Sequence, residues 1–598
     1  MNGRRIAGLA AWFAFVVAPC AHAAAGSMPS AIVATKDALY VAESAAQSIA
    51  VLDPTSGAPA RRIALPAPPT GLTLNPDGAT LYVTAGMLHP IDLATGNATA
   101  PVPVGHTPMS PVISPDGARL YVCNRFSNDV SVIDLATRTE IARIPVLREP
   151  VAATLTPDGR SLFVANLLPV GPSDGEFIAA AVSVIDTATH TTVGVVNLPN
   201  GSTGLRGICA SPDGKYVYVS HILAHYQMPT TQLERGWMNT NAVSILSAEQ
   251  KTLLNTVLLD DAMRGAANPW AVACSPDGKY LCVTHAGTHE LSVIDRAGLH
   301  AKLDKTTQGA YVSEVSGYAV DVSNDFSFLA NLRRRIKLNG NGPRAIAFAG
   351  NTAYIAEHFS DSLCAVDLAA KDSPPPRGIP LANVAPSAER RGEMLFNDAT
   401  LCFQHWQSCA SCHPDARVDG LNWDLLNDGM GNPKNTRSML LSHQTPPVMG
   451  LGIRETAEKA VRSGIRFIQF AERPEADAAA IDAYLKSLKP VPGPASSSEA
   501  EKGKAVFARA GCAPCHPEGL YTDLKQYDVG TTTGVDAGKP TDTATLIEVW
   551  RTAPYLHDGR AATLEELFTR HNPEDRHGTT SALTAEELRQ LVAFVESL

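Results

Sequence analysis

From about residue 30 to 370, short runs of alternating apolar and polar residues are broken at intervals by Pro-Asp-Gly. Asn75-Pro76-Asp77-Gly78 precedes Leu81-Tyr82-Val83-Thr84, Ser114-Pro115-Asp116-Gly117 precedes Leu120-Tyr121-Val122, and the turn returns at 156–159, 211–214 and 275–278. Period-two alternation rich in β-branched and aromatic residues reads as half-buried strand, and Pro with Gly presets a tight turn. Each unit closes on a further strand, such as Val130-Ser131-Val132-Ile133-Asp134 or Leu291-Ser292-Val293-Ile294-Asp295. Such closing strands recur at Asp53, Asp92, Asp134, Asp186, Ser244-Ile245-Leu246, Asp295 and Asp367, which makes seven units. One short sheet cannot bury both of its faces alone, so units of roughly 40 residues with four strands predict the blades of a seven-bladed β-propeller.

Three units are stretched, around 168–181, 221–241 and 297–340. The second carries His221, His225, Tyr226 and Trp237. Inserted loops on a rigid array are candidates for docking or lid functions; a self-packed surface loop is the alternative. Pro374-Pro375-Pro376 opens a linker over 371–386, because consecutive prolines extend neither helix nor sheet. Beyond it the period changes to that of amphipathic helices, and the chain duplicates. Arg391-Gly392-Glu393-Met394-Leu395-Phe396 parallels Lys502-Gly503-Lys504-Ala505-Val506-Phe507, and Thr445-Pro446-Pro447-Val448-Met449 parallels Thr552-Ala553-Pro554-Tyr555-Leu556. Each half ends in a similar helix. The expected architecture is an all-β propeller (30–370) followed by an all-α tandem of two lobes, 387–495 and 496–598.

Each lobe carries one Cys-x-x-Cys-His run: Cys409, Cys412 and His413 in the first, Cys512, Cys515 and His516 in the second. Two thiols three positions apart can add to the vinyl groups on one porphyrin edge, and the adjacent His then ligates the iron. Two covalently bound haem c groups and redox chemistry follow. Export agrees with this chemistry: Arg4-Arg5, an apolar stretch from Ile6 to Ala18, and Ala21-His22-Ala23 read as a signal peptide over 1–23. The expected compartment is the periplasm, with no transmembrane span and a lipoprotein anchor at Cys20 disfavoured by Pro19. The formal charge of −10 disfavours nucleic acid as a partner. Six cysteines remain, at 123, 209, 274, 282, 364 and 402. A disulfide between Cys274 and Cys282 across their turn and a pair of buried free thiols are equally open readings.

The propeller motifs resemble the YVTN family. Residues 387–598 resemble the bacterial di-haem cytochrome c peroxidase superfamily, which includes MauG, most clearly at Thr552-Ala553-Pro554-Tyr555-Leu556-His557-Asp558-Gly559-Arg560 and Thr563-Leu564-Glu565-Glu566. The resemblance implies a first haem that reacts with hydrogen peroxide and a second that relays electrons to or from a small cytochrome or cupredoxin. It also implies a homodimer, since members often pair. The second lobe has no Met from residue 500 onward, so its sixth ligand is sought among His557, His571 and His577, with Tyr555 behind them. The family segment favours His571, then His577. In the first lobe the distal candidates are His443, Met430, Met439 and Met449, or none. The family's acid/base Glu aligns near Glu472 without its usual surroundings, and its inter-haem Trp aligns near Gly450; Trp423 and Trp550 are the nearby aromatics. A peroxidase-like oxidoreductase is the leading expectation. The alternative is a non-catalytic di-haem electron-transfer protein with the propeller as docking module.

Overall fold

The structure is a computed structural model that describes residues 26–228, 238–370, 375–425, 429–493 and 498–598. The expected signal peptide, Cys20, Trp237 and Pro374 lie outside the described residues.

Seven antiparallel sheets run in chain order over 29–64, 71–92, 108–145, 150–197, 202–258, 269–337 and 343–380. Their first strands abut one another in a ring that closes Pro343–Ala349 onto Pro29–Ala34. Among the described residues no strand is shared across this closure. Instead Ile32, Leu39 and Val41 pack on Tyr354 and Leu363, and the Tyr354 hydroxyl donates to the Pro54 carbonyl at 2.9 Å. The second blade has three paired strands, with a bridge between Leu88 and Val102 in the fourth place.

The Pro-Asp-Gly turns behave as expected: Gly78, Gly117, Gly159, Gly214 and Gly278 all have φ between 69° and 72°. The aspartate-ended strands, however, are third in their blades rather than last. A fourth follows, such as Thr139–Pro145 or Thr191–Asn197, and these outer strands are largely exposed. They therefore carry little apolar alternation for a sequence to display. Several second strands carry, at or near their ends, a buried polar residue that the third strand satisfies. Asn124 donates to Ser131 (2.7 Å), Asn166 to Ser183 (3.1 Å), and His221 and His285 pair with Ser244 and Ser292. A buried polar group costs little once it is bonded, so the repeat can keep one at this position.

Register decides between the two cysteine readings in favour of free thiols. Cys274 pairs with Leu281 and Ala273 with Cys282, so the two thiols leave opposite faces of the hairpin. Cys274 instead lies against Cys209 of the neighbouring blade.

The sixth blade's insertion folds onto the propeller itself, through helix α1 (Arg296–Thr307) and Phe328. After the propeller, Ser387 caps α2 (Ala388–Asn397). There follow a single turn α3 (Cys409–Cys412), α4 (Ala457–Phe467), α5 (Glu475–Ser487), α6 (Ser498–Arg509), α7 (Leu564–Thr569) and α8 (Ala585–Glu596). The duplication is structural. α2 packs on α5 and α6 on α8, each pair meeting at a glycine. A Cβ on Gly392 would stand 1.8 Å from the Ala480 carbonyl oxygen, and one on Gly503 1.9 Å from that of Gln590. Met449 and Leu556 also match, with φ of 78° and 75°.

Both helical lobes sit on the propeller. Ala399 N–H donates to Gly287 O (2.9 Å), and Gly265 N–H to Gln404 O (2.8 Å). The other two insertions reach the lobes. Ser173 N–H donates to Gly559 O (2.8 Å), and Ile178, Tyr226 and Met238 pack around Leu421 and Trp423 beside Cys412.

Candidate haem sites

In each lobe the Cys-x-x-Cys turn projects its histidine with one ring nitrogen already committed. His413 Nδ1–H donates to the Arg417 carbonyl at 3.1 Å, and His516 Nδ1–H to the Tyr521 carbonyl at 2.8 Å. That bond fixes the tautomer and leaves Nε2 with a free lone pair, as a metal-ligating histidine requires. Burial pushes the His413 imidazole down to about 4, so it is neutral at physiological pH. Burial also pushes the Cys409 and Cys512 thiols up, to about 12 and about 11.

The second motif opens on a cavity of about 390 Å³ lined by Cys512, Cys515, His516, Leu546, Tyr555 and His577, with His557 and Arg437 on its far wall. This is within the size range of cofactor pockets, roughly 300–1,000 Å³. The rings of His516 and His577, both on this lining, have centroids 6.4 Å apart and planes inclined at 42°. Two imidazoles sharing one metal through bonds of about 2 Å would have centroids roughly 6 Å apart. Burial, with His516 close by, pushes His577 down to about 4, and its Nδ1 is buried without a hydrogen-bond partner. His571, the first choice from the sequence, is absent from this lining. Arg560 Nε–H donates to its Nδ1 at 3.3 Å, which puts the ring proton on Nε2. The cavity and the paired imidazoles on its lining suit a thioether-held porphyrin.

Around the first motif the candidates separate. His443 is tied to Asp482 at 3.0 Å, and Asp482 also accepts from Arg462. Met430 is 66% exposed. Met449 lies on a turn whose carbonyl accepts from Arg437, whereas Met439 packs in the lobe core beside Cys409 and Ala410. Glu472 is exposed between α4 and α5. Trp423 donates to Asp419 (2.8 Å). Trp550 turns to the propeller, 5.2 Å from Phe126 in an edge-on contact.

Sequence reasoning missed a buried charge network at this junction. Glu548, from the second lobe, accepts from Arg417 Nε (2.8 Å) and from Arg551 (3.2 Å). Arg551 reaches Glu149 of the propeller (3.5 Å), and Glu149 binds Arg125 (2.6 Å). The partners lie up to 402 residues apart, so no local spacing announces them.

A β-propeller joined to a tandem cytochrome c domain is the class of protein that this fold and these sites define. No family model matches the chain. It is 29% identical over 271 residues to hydrazine synthase subunit gamma of Kuenenia stuttgartiensis, a match covering 35% of this chain and 77% of that protein. It is 25% identical over 301 residues to the methylamine utilization protein MauG of Methylorubrum extorquens, covering 38% of this chain and 81% of MauG. Among solved structures, a Kuenenia stuttgartiensis hydrazine synthase chain superposes with a TM-score of 0.52 at 24% identity, over 59% of this chain and 99% of that one. The propeller and the two helical lobes are thus joined in one chain that is similar in sequence to hydrazine synthase subunit gamma and to MauG.

Proposed function

We propose that this chain is an exported di-haem c-type oxidoreductase. One haem is held by Cys409, Cys412 and His413, the other by Cys512, Cys515 and His516 with His577 as its sixth ligand. Bound haem supplies one-electron chemistry and, where a coordination position stays open, a place for peroxide or a similar small oxidant. The observation that carries the reading is the asymmetry of the two sites. His577 lies beside His516 on the lining of the second cavity, whereas His443, the distal histidine candidate of the first lobe, is engaged by Asp482. A bis-histidine site suits relay, and a site without a distal base-ligand suits reaction. Pro414 and Ser411 of the first attachment turn are covered, while Pro514, Pro517 and Glu518 around the second are exposed. This favours electron exchange with a small cytochrome or cupredoxin at the second haem and exclusion of water at the first. Glu472, exposed, has no part in the proposed chemistry. Export to the periplasm rests on residues 1–23, and among the described residues no helix is long and apolar enough to cross a membrane.

The alternative, a pure electron carrier, is favoured by Met439, whose thioether lies in the core beside Cys409. Electron paramagnetic resonance of the diferric protein separates the two. One high-spin haem, altered by peroxide and by cyanide, is the expected result. Two low-spin haems inert to both, before and after one-electron reduction, would establish the carrier instead.

A further inference from the structure

The loops that follow the two haem histidines perform the same task but are held differently. In the second lobe Pro517, Glu518 and Gly519 lie exposed, and Gly519 (φ 116°) with a single left-handed L-residue, Tyr521 itself (φ 50°), makes the turn that brings the Tyr521 carbonyl under His516. The first-lobe loop has no glycine between His413 and Arg417. Asp415 (φ 53°) and Ala416 (φ 57°) both adopt the left-handed conformation that L-residues avoid. Something outside the loop must hold it.

The Asp415 carboxylate accepts from Arg125 at 2.5 Å and Arg206 at 3.0 Å, both propeller residues, and lies 3.4 Å from Arg551 of the second lobe. Each propeller arginine is itself fixed. Arg125 pairs with Glu149 (2.6 Å), and the Arg206 guanidinium lies 4.4 Å from the Trp270 ring centroid. Arg417, at the loop's end, is gripped by Glu548, and its carbonyl receives the His413 Nδ1 proton.

We infer that the propeller is a working part of the first haem site: Arg125 and Arg206 are positioning residues that clamp Asp415 and so aim the Arg417 carbonyl at His413. A hydrogen bond donated by the outer N–H of a ligating imidazole to a carbonyl makes the ring a stronger donor to the metal. The first haem's iron–histidine bond and reduction potential therefore depend on the propeller through this clamp, whereas the loop before Tyr521 that serves His516 lies exposed. The inference rests on the haem assignment of the preceding section.

The test uses the full-length holoprotein with Arg206→Met, which keeps an unbranched stem over Trp270 but loses the hydrogen bond, and with Arg206→Lys. Resonance Raman of the fully reduced protein reads the iron–histidine stretch, and spectroelectrochemistry reads both midpoints. Arg206→Met is expected to lower the first haem's stretching frequency and move its midpoint. The second haem should be unchanged, and Arg206→Lys should fall between Arg206→Met and wild type. If the first haem has a sixth ligand when reduced and shows no such band, the midpoint decides; if Arg206→Met does not accumulate, Arg206→Lys is read alone. A folded variant with two haems and an unmoved first haem overturns the inference, as does an equal shift of both. Wild-type protein with only one covalent haem by mass spectrometry would overturn the haem assignment instead.

Discussion

Glu548 has a left-handed backbone (φ 61°) and a fully buried carboxylate that accepts from Arg417, Arg551 and the Val491 N–H. Removing one partner of a buried ion network leaves uncompensated charge, at a cost of about 3–5 kcal/mol. Glu548→Ala should therefore lower stability by that order in denaturant titration, well beyond an exposed substitution such as Glu518→Ala. At His577 the expectation is spectroscopic. His577→Ala should convert one haem, the second, from low to high spin, whereas His571→Ala should leave the ligand-field bands as they are. The reverse pattern would restore His571, the sequence's first choice. The attachment residues of the proposed haems could be named from the sequence because Cys-x-x-Cys-His is a local motif on adjacent residues. Which of two histidines on one polar segment turns inward was not, because Arg560 and the cavity wall decide it from elsewhere in the fold.

Helix α6 meets α8 so closely at Gly503 that an added Cβ would stand 1.9 Å from a backbone carbonyl oxygen. In an isolated helix Gly→Ala gains about 1 kcal/mol. Here the added methyl must push two helix backbones apart, and overpacking of this kind costs roughly 1–3 kcal/mol. Gly503→Ala should thus destabilise the second lobe and lower its urea midpoint. Gly511→Ala is not a suitable control, because φ there is 82°; Gly464→Ala, open and helical, should be neutral or stabilising. A Gly503→Ala protein as stable as wild type would mean that the helices are not in contact. The repeated Arg-Gly-Glu and Lys-Gly-Lys segments displayed the duplication, but that each glycine meets the closing helix of its lobe is seen only in the structure. The fourth strands of the blades gave no such signal. A strand such as Thr191–Asn197 buries a single residue, Val196, and reads as loop.

The whole molecule is joined through charge that none of its three parts can leave exposed without loss. Glu149 of the propeller pairs with Arg125 beside it and with Arg551 of the second lobe, while Arg148 donates to the Ala553 and Arg551 carbonyls at 2.5 and 2.6 Å. Propeller and lobes should therefore unfold together at neutral pH, as one calorimetric transition. Burial by itself would raise the Glu149 carboxyl, but the guanidinium groups of Arg125, Arg551 and Arg148 outweigh it and hold the group below the ordinary glutamate range. The unfolded chain binds this proton more readily than the folded one. The pair's contribution is thus complete above the unfolded value of about 4.3 and is lost as pH falls through the lower folded value. Acidification from about pH 5 to pH 3 should split the single transition into two as the domains part while each keeps its own core. Glu149→Gln should show the split, or a broadened transition, already at pH 7 and lose most of the acid dependence. Wild-type protein that unfolds in one step at pH 3, or a Glu149→Gln trace that overlays wild type at pH 7, would show that apolar contacts such as Trp550 on Phe126, rather than the ion network, hold the two domains together.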